Sequence, residues 1–444
     1  MKRFRLTGKI ILLTVLTLLM QLPLLSIRSL INERTSYRQS VINQIADSTS
    51  GPQTLIGPII VVPYEKTTLS EADEKGKRRY VTRREAFYIL PETLSVAATA
   101  KVEARKLGIY KAQVYDSNAT VQGRFNVARP SELNADNIKL GQPYLSVSVS
   151  DMRGIRKVSP ISLNGKEFSF RPGAKIRMLE QGLNIDIDSP LKSASLAFSF
   201  ELGLQGTNRL TVVPVGETTD FSLEGDWPHP NFVASILPAK RSVTDQGFTA
   251  QWGSTWFANN MNRRFVRALD DDSEYSIREL PAFSVTLVET VDLYQLSERS
   301  VKYGFLFIGL TFIAFFLFEM LKALRIHPVQ YLMVSAALVI FYLLLLAMAE
   351  HVGFNFAYLC AAIACTGLIT YYVIHVLGGV RQGVGFGVLL AMVYAALWGI
   401  LQSEDNALLL GSLLLLAVLA AVMVLTRRLN WYNLSAPADT PEKT

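Results

Sequence analysis

The sequence predicts an α-helical membrane protein with six transmembrane spans and a large β-rich, sandwich-like domain outside the cytoplasm. Six stretches are apolar and close to the roughly 20 residues that a helix needs to cross a bilayer. Short runs of Lys and Arg border these stretches on one side. Between the first and second stretch, several segments alternate between apolar and polar residues, which is typical of strands. Charged residues make up only 18% of the 444 residues, below the ~25% of soluble proteins.

The first apolar stretch, residues 10–27, follows a basic cytoplasmic segment, residues 1–9, and is predicted to be an uncleaved anchor. A cleaved signal peptide is the alternative, but no A-x-A-like site follows the apolar run. Beyond the anchor, apolar side chains recur at near-helical spacing from Leu30 to Ile45. Residues 28–50 are therefore predicted to form a helical stalk outside the cytoplasm.

The large domain, residues 51–299, is predicted to be built from short strands. It contains no Cys, so its own apolar core must stabilise it. Between Arg28 and Arg299 there are 33 basic and 31 acidic residues, and this balance argues against a nucleic-acid partner. The predicted strands lie at residues 54–63 (one bent strand or a strand pair), 87–90, 114–125, 145–149, 183–187, 193–202, 210–213, 248–252 and 283–289.

The C-terminal segment, residues 303–425, is predicted to be a bundle of five transmembrane helices followed by a cytoplasmic tail, residues 426–444. Short loops force neighbouring helices to be antiparallel. The predicted spans are residues 303–321, 331–349, 354–374, 384–401 and 407–425. Basic residues fall in every second loop, which places both termini in the cytoplasm; they are Lys322, Arg325, Arg381, Arg427 and Arg428.

Inside the bundle, no Asp, Glu, Lys or Arg is expected near the bilayer midplane. Glu319 and His375 are expected at helix ends, where they can reach the interface. This pattern disfavours a transporter or channel, which remains an alternative function. Small residues recur every fourth position in the fifth span and predict helix packing within the chain rather than a dimer interface; they are Gly383, Gly387, Ala391, Ala395 and Gly399.

Catalytic residues are scarce in the large domain. His229 is its one histidine, so a zinc site of two or three His ligands is excluded. A hydrolase acting on envelope polymers is a second alternative, and His229 would be its base. Residues 189–192 match S-x-x-K by chance in our interpretation, and the acidic run 270–274 is interpreted as a solvated turn rather than a calcium loop. The sequence predicts no enzyme, no cofactor and no metal.

Two aromatic-rich stretches are the candidate surface for a ligand or partner, because Trp and Asn lie side by side there and could form such a surface. The alternative is a tryptophan core with Asn residues in turns. The candidate residues are Trp227, His229, Trp256, Asn259, Asn260 and Arg263.

The sequence resembles the CreD family of bacterial inner-membrane proteins. The resemblance rests on residues 48–53 (STSGPQ), 227–230 (WPHP), 237–241 (LPAKR), 256–260 (WFANN) and 341–347 (FYLLLLA). It implies a multi-pass inner-membrane protein with a periplasmic domain, in the regulon of the Cre two-component system. It also implies effects on envelope stress and on colicin or β-lactam tolerance, without an assigned activity or site. The expected partners are membrane lipid and an unknown envelope protein or polymer.

Overall fold

A computed structural model describes residues 2–69, 80–127, 135–187, 195–270, 277–289, 292–321, 326–403 and 406–427. The S-x-x-K match at 189–192 and most of the acidic run 270–274 lie outside these residues, as do the loop cations Lys322, Arg325 and Arg428. The chain forms two compact units. We call residues 39–290 the sheet unit, and residues 1–38 together with 291–444 the membrane unit.

The membrane unit consists of long apolar helices. Six helical segments in the described residues are long and apolar enough to cross a membrane, which confirms the predicted fold class. The first segment, Gly8–Ser48, combines most of α1 with the whole of its continuation α2. The helices are α1 Lys2–Leu19, α2 Gln21–Ser48, α5 Leu293–Leu321, α6 Pro328–Val352, α7 Phe354–Leu377, α8 Val380–Gln402 and α9 Ala407–Thr426.

Helix ends in this unit follow local sequence signals. The His327 side chain accepts a hydrogen bond from the Val329 backbone N–H (3.3 Å), and Pro328 occupies the first turn of α6, where no N–H is needed. Gly378 ends α7 in the left-handed conformation (φ 65°), which favours glycine. Helices α6, α7 and α8 contact their neighbours in sequence, and α5 packs against all three. Gly411 is the buried residue of α9.

The sheet unit contains two sheets, which agrees with the predicted sandwich-like class. The first has the order β10–β11–β6–β1–β13–β18–β15, with β2 and β5 also on β1; the second has the order β16–β17–β14–β3–β4–β12–β8–β9, with β7 also on β12. The strands are β1 Gln53–Leu69, β2 Tyr80–Ile89, β3 Thr93–Leu107, β4 Tyr110–Asn126, β5 Ile138–Leu140, β6 Tyr144–Val149, β7 Ile155–Val158, β8 Ile161–Leu163, β9 Lys166–Phe168, β10 Arg171–Pro172, β11 Gly182–Asp186, β12 Ser195–Thr207, β13 Arg209–Val213, β14 Thr218–Gly225, β15 Pro230–Asn231, β16 Lys240–Thr244, β17 Gly247–Thr255 and β18 Phe283–Leu287.

One apolar core lies between the sheets because the strands alternate inward and outward residues. Phe221 and Trp252 stack with ring centroids 4.9 Å apart, and both are almost fully buried. Burying a large apolar side chain contributes about 1.5–3 kcal/mol, so such pairs dominate the stability of the unit. β1 is one bent strand, since its pairing with β6 shifts between Ile56 and Ile59.

The segment between α2 and β1 is fixed by a buried polar network. Ser50 donates to the Gln205 carbonyl (2.6 Å), and Thr207 donates to the Ser50 carbonyl (2.7 Å). The Gln53 amide donates to the carbonyls of Asp151 (2.9 Å) and Gln205 (3.1 Å). Residues 48–53, one of the strings that carry the family resemblance, therefore have a structural role here.

Candidate functional site

Trp227 and His229 attach the segment that follows β14 to Val288, the residue after β18. The Trp227 indole N–H donates to the Val288 carbonyl (3.0 Å), and the Val288 N–H donates to the His229 carbonyl (3.4 Å). Their rings meet edge to face, with centroids 6.2 Å apart. Both side chains are half-buried, so they offer little surface to a partner.

Asn259 and Asn260 build a tight turn between two short helices. The structure contains α3, Trp256–Asn259, and α4, Met261–Asp270. Asn259 is buried; its amide donates to the Ser254 hydroxyl (2.8 Å) and its oxygen accepts from the Met261 N–H (2.9 Å). Asn260 is left-handed (φ 46°) and ends α3. These two residues position Trp256 and Arg263 rather than forming a binding pocket.

Trp256 on α3 and Arg263 on α4 are both exposed. The side chain of Phe257 is 88% exposed and that of Trp256 is 44% exposed, with ring centroids 5.5 Å apart. Arg263, Arg264 and Arg267 are also exposed. We call these five residues the α3–α4 surface.

The opposite face of α4 anchors that surface to the core. Met261, Phe265, Ala268 and Leu269 are buried, at the spacing of one helix face. Phe265 meets Tyr88 edge to face, with ring centroids 5.9 Å apart. The helix is thus held rigidly with its arginines outward. Phe257, Arg264 and Arg267 were not among the predicted partner residues, although the apolar spacing from Met261 to Leu269 could have revealed the helix.

A second candidate surface is a trough on the outer face of the second sheet. It has a volume of about 660 Å³ and is lined by β7, β12, β4, β3, β14 and β17. A further depression of about 530 Å³ shares Thr99, Glu224 and Thr249 with it and extends to β16. Together they form a continuous concave surface that the sequence analysis did not predict.

Strand register arranges the outward side chains of the trough in two rows across the sheet. In the first row, Gln251, Ser222, Ala97, Thr120 and Glu201 are successive partners. The second row runs beside it in the order Thr249, Glu224, Thr99, Asn118, Gly203 and Lys157. The signal in the sequence was the small polar residues at alternate positions of β3 and β4.

The membrane unit contains a partly buried ion pair between α1 and α5. Lys9 pairs with Glu319, whose other oxygen accepts from the Tyr331 hydroxyl (2.9 Å). Lys9 also donates to the Ile326 carbonyl (3.1 Å). Glu319 is only 8% exposed and lies near the end of α5, as expected from the sequence. Its reach to the membrane interface stays a prediction. The start of α1 and the end of α5 therefore lie at the same end of this unit.

Further polar contacts join α2, α5 and α6 at the other end of these helices, and Arg34 of α2 pairs with Glu350 of α6 (3.8 Å). Arg38 pairs with Asp292 (3.1 Å) and Arg28 with Glu298 (3.2 Å). The Tyr294 hydroxyl donates to Glu350 (3.0 Å). These contacts fix α2 and α5 in an antiparallel arrangement.

The small residues that recur every fourth position in α8 lie in three different environments. A side chain at Gly383 would collide with Ile374, and one at Gly387 would collide with Thr370, so these glycines pack against α7. Ala391 and Ala395 instead line a groove of about 580 Å³ between α7 and α8. At Gly399 a side chain would meet open space.

In the described residues, no group of three or more His, Cys, Asp or Glu side chains could hold a metal ion. Cys365 is buried, with its sulfur 3.6 Å from the Ala337 carbonyl, and it packs between α6 and α7.

Comparisons with known proteins agree on one family. The sequence model described as "Inner membrane protein CreD" matches residues 5–432. The curated Inner membrane protein CreD of Escherichia coli (strain K12) is 43% identical over 422 residues, which cover 95% of this chain and 92% of that protein.

Solved structures offer only a weak likeness. A substrate-bound mutant of an M1 zinc metallopeptidase from Deinococcus radiodurans is 12% identical, with a TM-score of 0.20; the match covers 37% of this chain and 39% of that one. Another structure of an M1 zinc metallopeptidase from the same organism has a TM-score of 0.18, with 11% identity over 37% of this chain and 38% of that one. At these scores the likeness carries no argument about activity.

Proposed function

Because the chain belongs to the CreD family of inner membrane proteins, we propose that it is a non-enzymatic envelope-stress protein that binds an acidic partner protein in the periplasm. Binding at the α3–α4 surface would affect envelope integrity and tolerance to colicins or β-lactams. The observation that carries the proposal is the exposure of Trp256 and Phe257 on α3 together with the exposure of three arginines on the next helix.

The chemistry of this surface favours a protein partner. Aromatic residues and Arg are enriched at protein interfaces and dominate binding energies. The planar guanidinium groups of Arg263, Arg264 and Arg267 suit bidentate bonds to carboxylates. Because Asn259 and Phe265 already hold the two helices in place, little ordering entropy would be lost on binding.

The proposed orientation places both termini in the cytoplasm and the sheet unit in the periplasm. Basic loops alternate with loops that lack Lys and Arg, as the positive-inside rule requires. The Lys9–Glu319 pair supports the same arrangement, since it brings the start of α1 beside the end of α5. The N-terminus and the loop after α5 would then share one side of the membrane.

Charge reversal tests the proposed function. A full-length variant with Arg263→Glu, Arg264→Glu and Arg267→Glu should lose the colicin and β-lactam tolerance that the natural protein confers, at an unchanged membrane level. A photo-crosslinker at residue 257 should capture an acidic protein in intact cells, and the charge reversal should abolish that crosslink.

The matched control reverses three exposed lysines elsewhere in the sheet unit, Lys106, Lys111 and Lys166. This control should retain both the tolerance and the crosslink. Full tolerance in the Arg variant, or equal loss in the Lys variant, would refute a role for the α3–α4 surface.

A further inference from the structure

The trough on the second sheet is large, open and polar. It crosses six strands, and at ~4.8 Å between strands it is roughly 24 Å long, enough for an extended oligomer. Its rows present hydroxyl groups from Thr99, Thr120 and Thr249 and amide groups from Asn118 and Gln251. Each hydroxyl can donate one hydrogen bond and accept two, and each amide can do both.

The charges along the trough nearly balance. Lys157 lies 4.0 Å from Glu201, and Lys101 and Glu224 line the adjoining depression. Asp226, also in that lining, accepts a hydrogen bond from the Val102 N–H (2.7 Å). Since neither sign dominates, the surface is poorly suited to a polyanion such as nucleic acid, which requires clustered cations.

The residue types of the trough also differ from those of a protein interface. None of the described residues that line the trough and the adjoining depression is Arg, Met, Trp or Tyr. The one aromatic residue among these lining residues, Phe248, has its side chain buried in the core. Protein interfaces are enriched in these residues, and a lipid tail would need an apolar floor. The chemistry that matches is a ligand with many hydroxyl and amide groups and little net charge.

We infer that the trough binds an uncharged glycan chain laid across the strands, with hydroxyl or acetamido groups on its sugars. Ring hydroxyls bond to the threonines and to Ser222, and amide groups bond to Asn118 and Gln251. This site is independent of the proposed function, because the trough and the α3–α4 surface share no residue.

Two small residues keep the centre of the trough open. Ala97 separates Ser222 from Thr120 in the first row and has no long side chain. At Gly203, an added Cβ would lie 3.2 Å from the Cβ of Lys157 and 3.4 Å from the amide oxygen of Asn118. Larger residues at these positions would fill the space above the sheet and displace the Asn118 amide.

The inference is tested by titrating a tetramer of N-acetylglucosamine into full-length protein in nanodiscs and measuring its affinity by calorimetry. The double variant Asn118→Ala with Gln251→Ala should bind it at least tenfold more weakly. Ala97→Ile, which retains the amide and hydroxyl groups but fills the centre of the row, should weaken binding by a similar factor. All three positions are on the exposed face of the sheet, so folding should be unaffected.

Asn126→Ala is the matched control, because Asn126 is exposed on the same face of β4 but lies outside the trough. It should bind the tetrasaccharide as the natural protein does. Polyglutamate, an anionic polymer, should not compete. Absence of tetrasaccharide binding up to millimolar concentrations, equal loss in the Asn126 variant, or preference for polyglutamate would each overturn the inference. The tolerance assay on the Arg variant is unaffected by any of these results.

Discussion

Replacing Gln53 with Leu should destabilise the sheet unit by about 3 kcal/mol. The Gln53 side chain is fully buried and makes three hydrogen bonds, two from its amide and one accepted from the Asp151 N–H (3.3 Å). The carbonyls of Asp151 and Gln205 keep other donors, Gly154 N–H and the Ser50 hydroxyl. Only the Asp151 N–H would be left without its hydrogen-bond partner.

The magnitude follows from these three bonds. A buried donor left unpaired costs about 1–3 kcal/mol, and each of the other two bonds contributes about 0.5–1.5 kcal/mol. For a unit of this size, each kcal/mol lost from the free energy of unfolding lowers Tm by ~2–4 °C, so Tm should fall by roughly 6–12 °C.

Thermal unfolding of full-length protein in nanodiscs, followed by the fluorescence of buried Trp252, measures the change in Tm for Gln53→Leu. The control Gln122→Leu changes an exposed side chain on β4 and should shift stability by less than about 0.5 kcal/mol. Equal Tm values for Gln53→Leu and the natural protein would refute the structural role of this network.

Two further predictions concern packing and pH. Gly387→Leu should separate α7 from α8, because the new leucine side chain would collide with Thr370, and it should lower Tm in detergent by several degrees. Gly399→Leu should leave Tm unchanged, because a side chain there meets open space. Equal Tm values for the two variants would contradict this packing. The Arg153 guanidinium donates to Asp151 and holds the pKa of that carboxyl below its ordinary value of 3.8. The ionised Asp151 carboxylate therefore stabilises the folded protein above pH 3.8, and this stabilisation is lost as the pH falls through the folded-state pKa. The Tm difference between the natural protein and Asp151→Asn should therefore shrink between pH 7 and pH 3, and a constant difference would be contrary evidence.

The membrane spans could be predicted from sequence because each depends on local composition alone. Apolar stretches of sufficient length have one stable arrangement in lipid, and the structure contains helices at all six. Several inner strands were predicted for the same reason: β12, for example, alternates from Leu196 to Leu202. The central strands β3 and β14 were not predicted.

Features that depend on contacts distant in sequence were not predicted. The pairing of Glu319 with Lys9, 310 residues away, was not predicted. The trough depends on the register of six strands, which no single segment encodes. Of the predicted partner residues, Trp256 and Arg263 are exposed, whereas Asn259 is buried because its side chain bonds to Ser254 and Met261.

The orientation of the sheet unit is the claim on which both proposed binding surfaces depend. With Cys360→Ala and Cys365→Ala the chain has no cysteine, so single cysteines can report on position. Phe257→Cys should react with a membrane-impermeant maleimide in cells whose outer membrane alone is permeabilised. Thr444→Cys should react only after the inner membrane is also opened. The reverse labelling pattern would place the trough and the α3–α4 surface in the cytoplasm and would contradict the account.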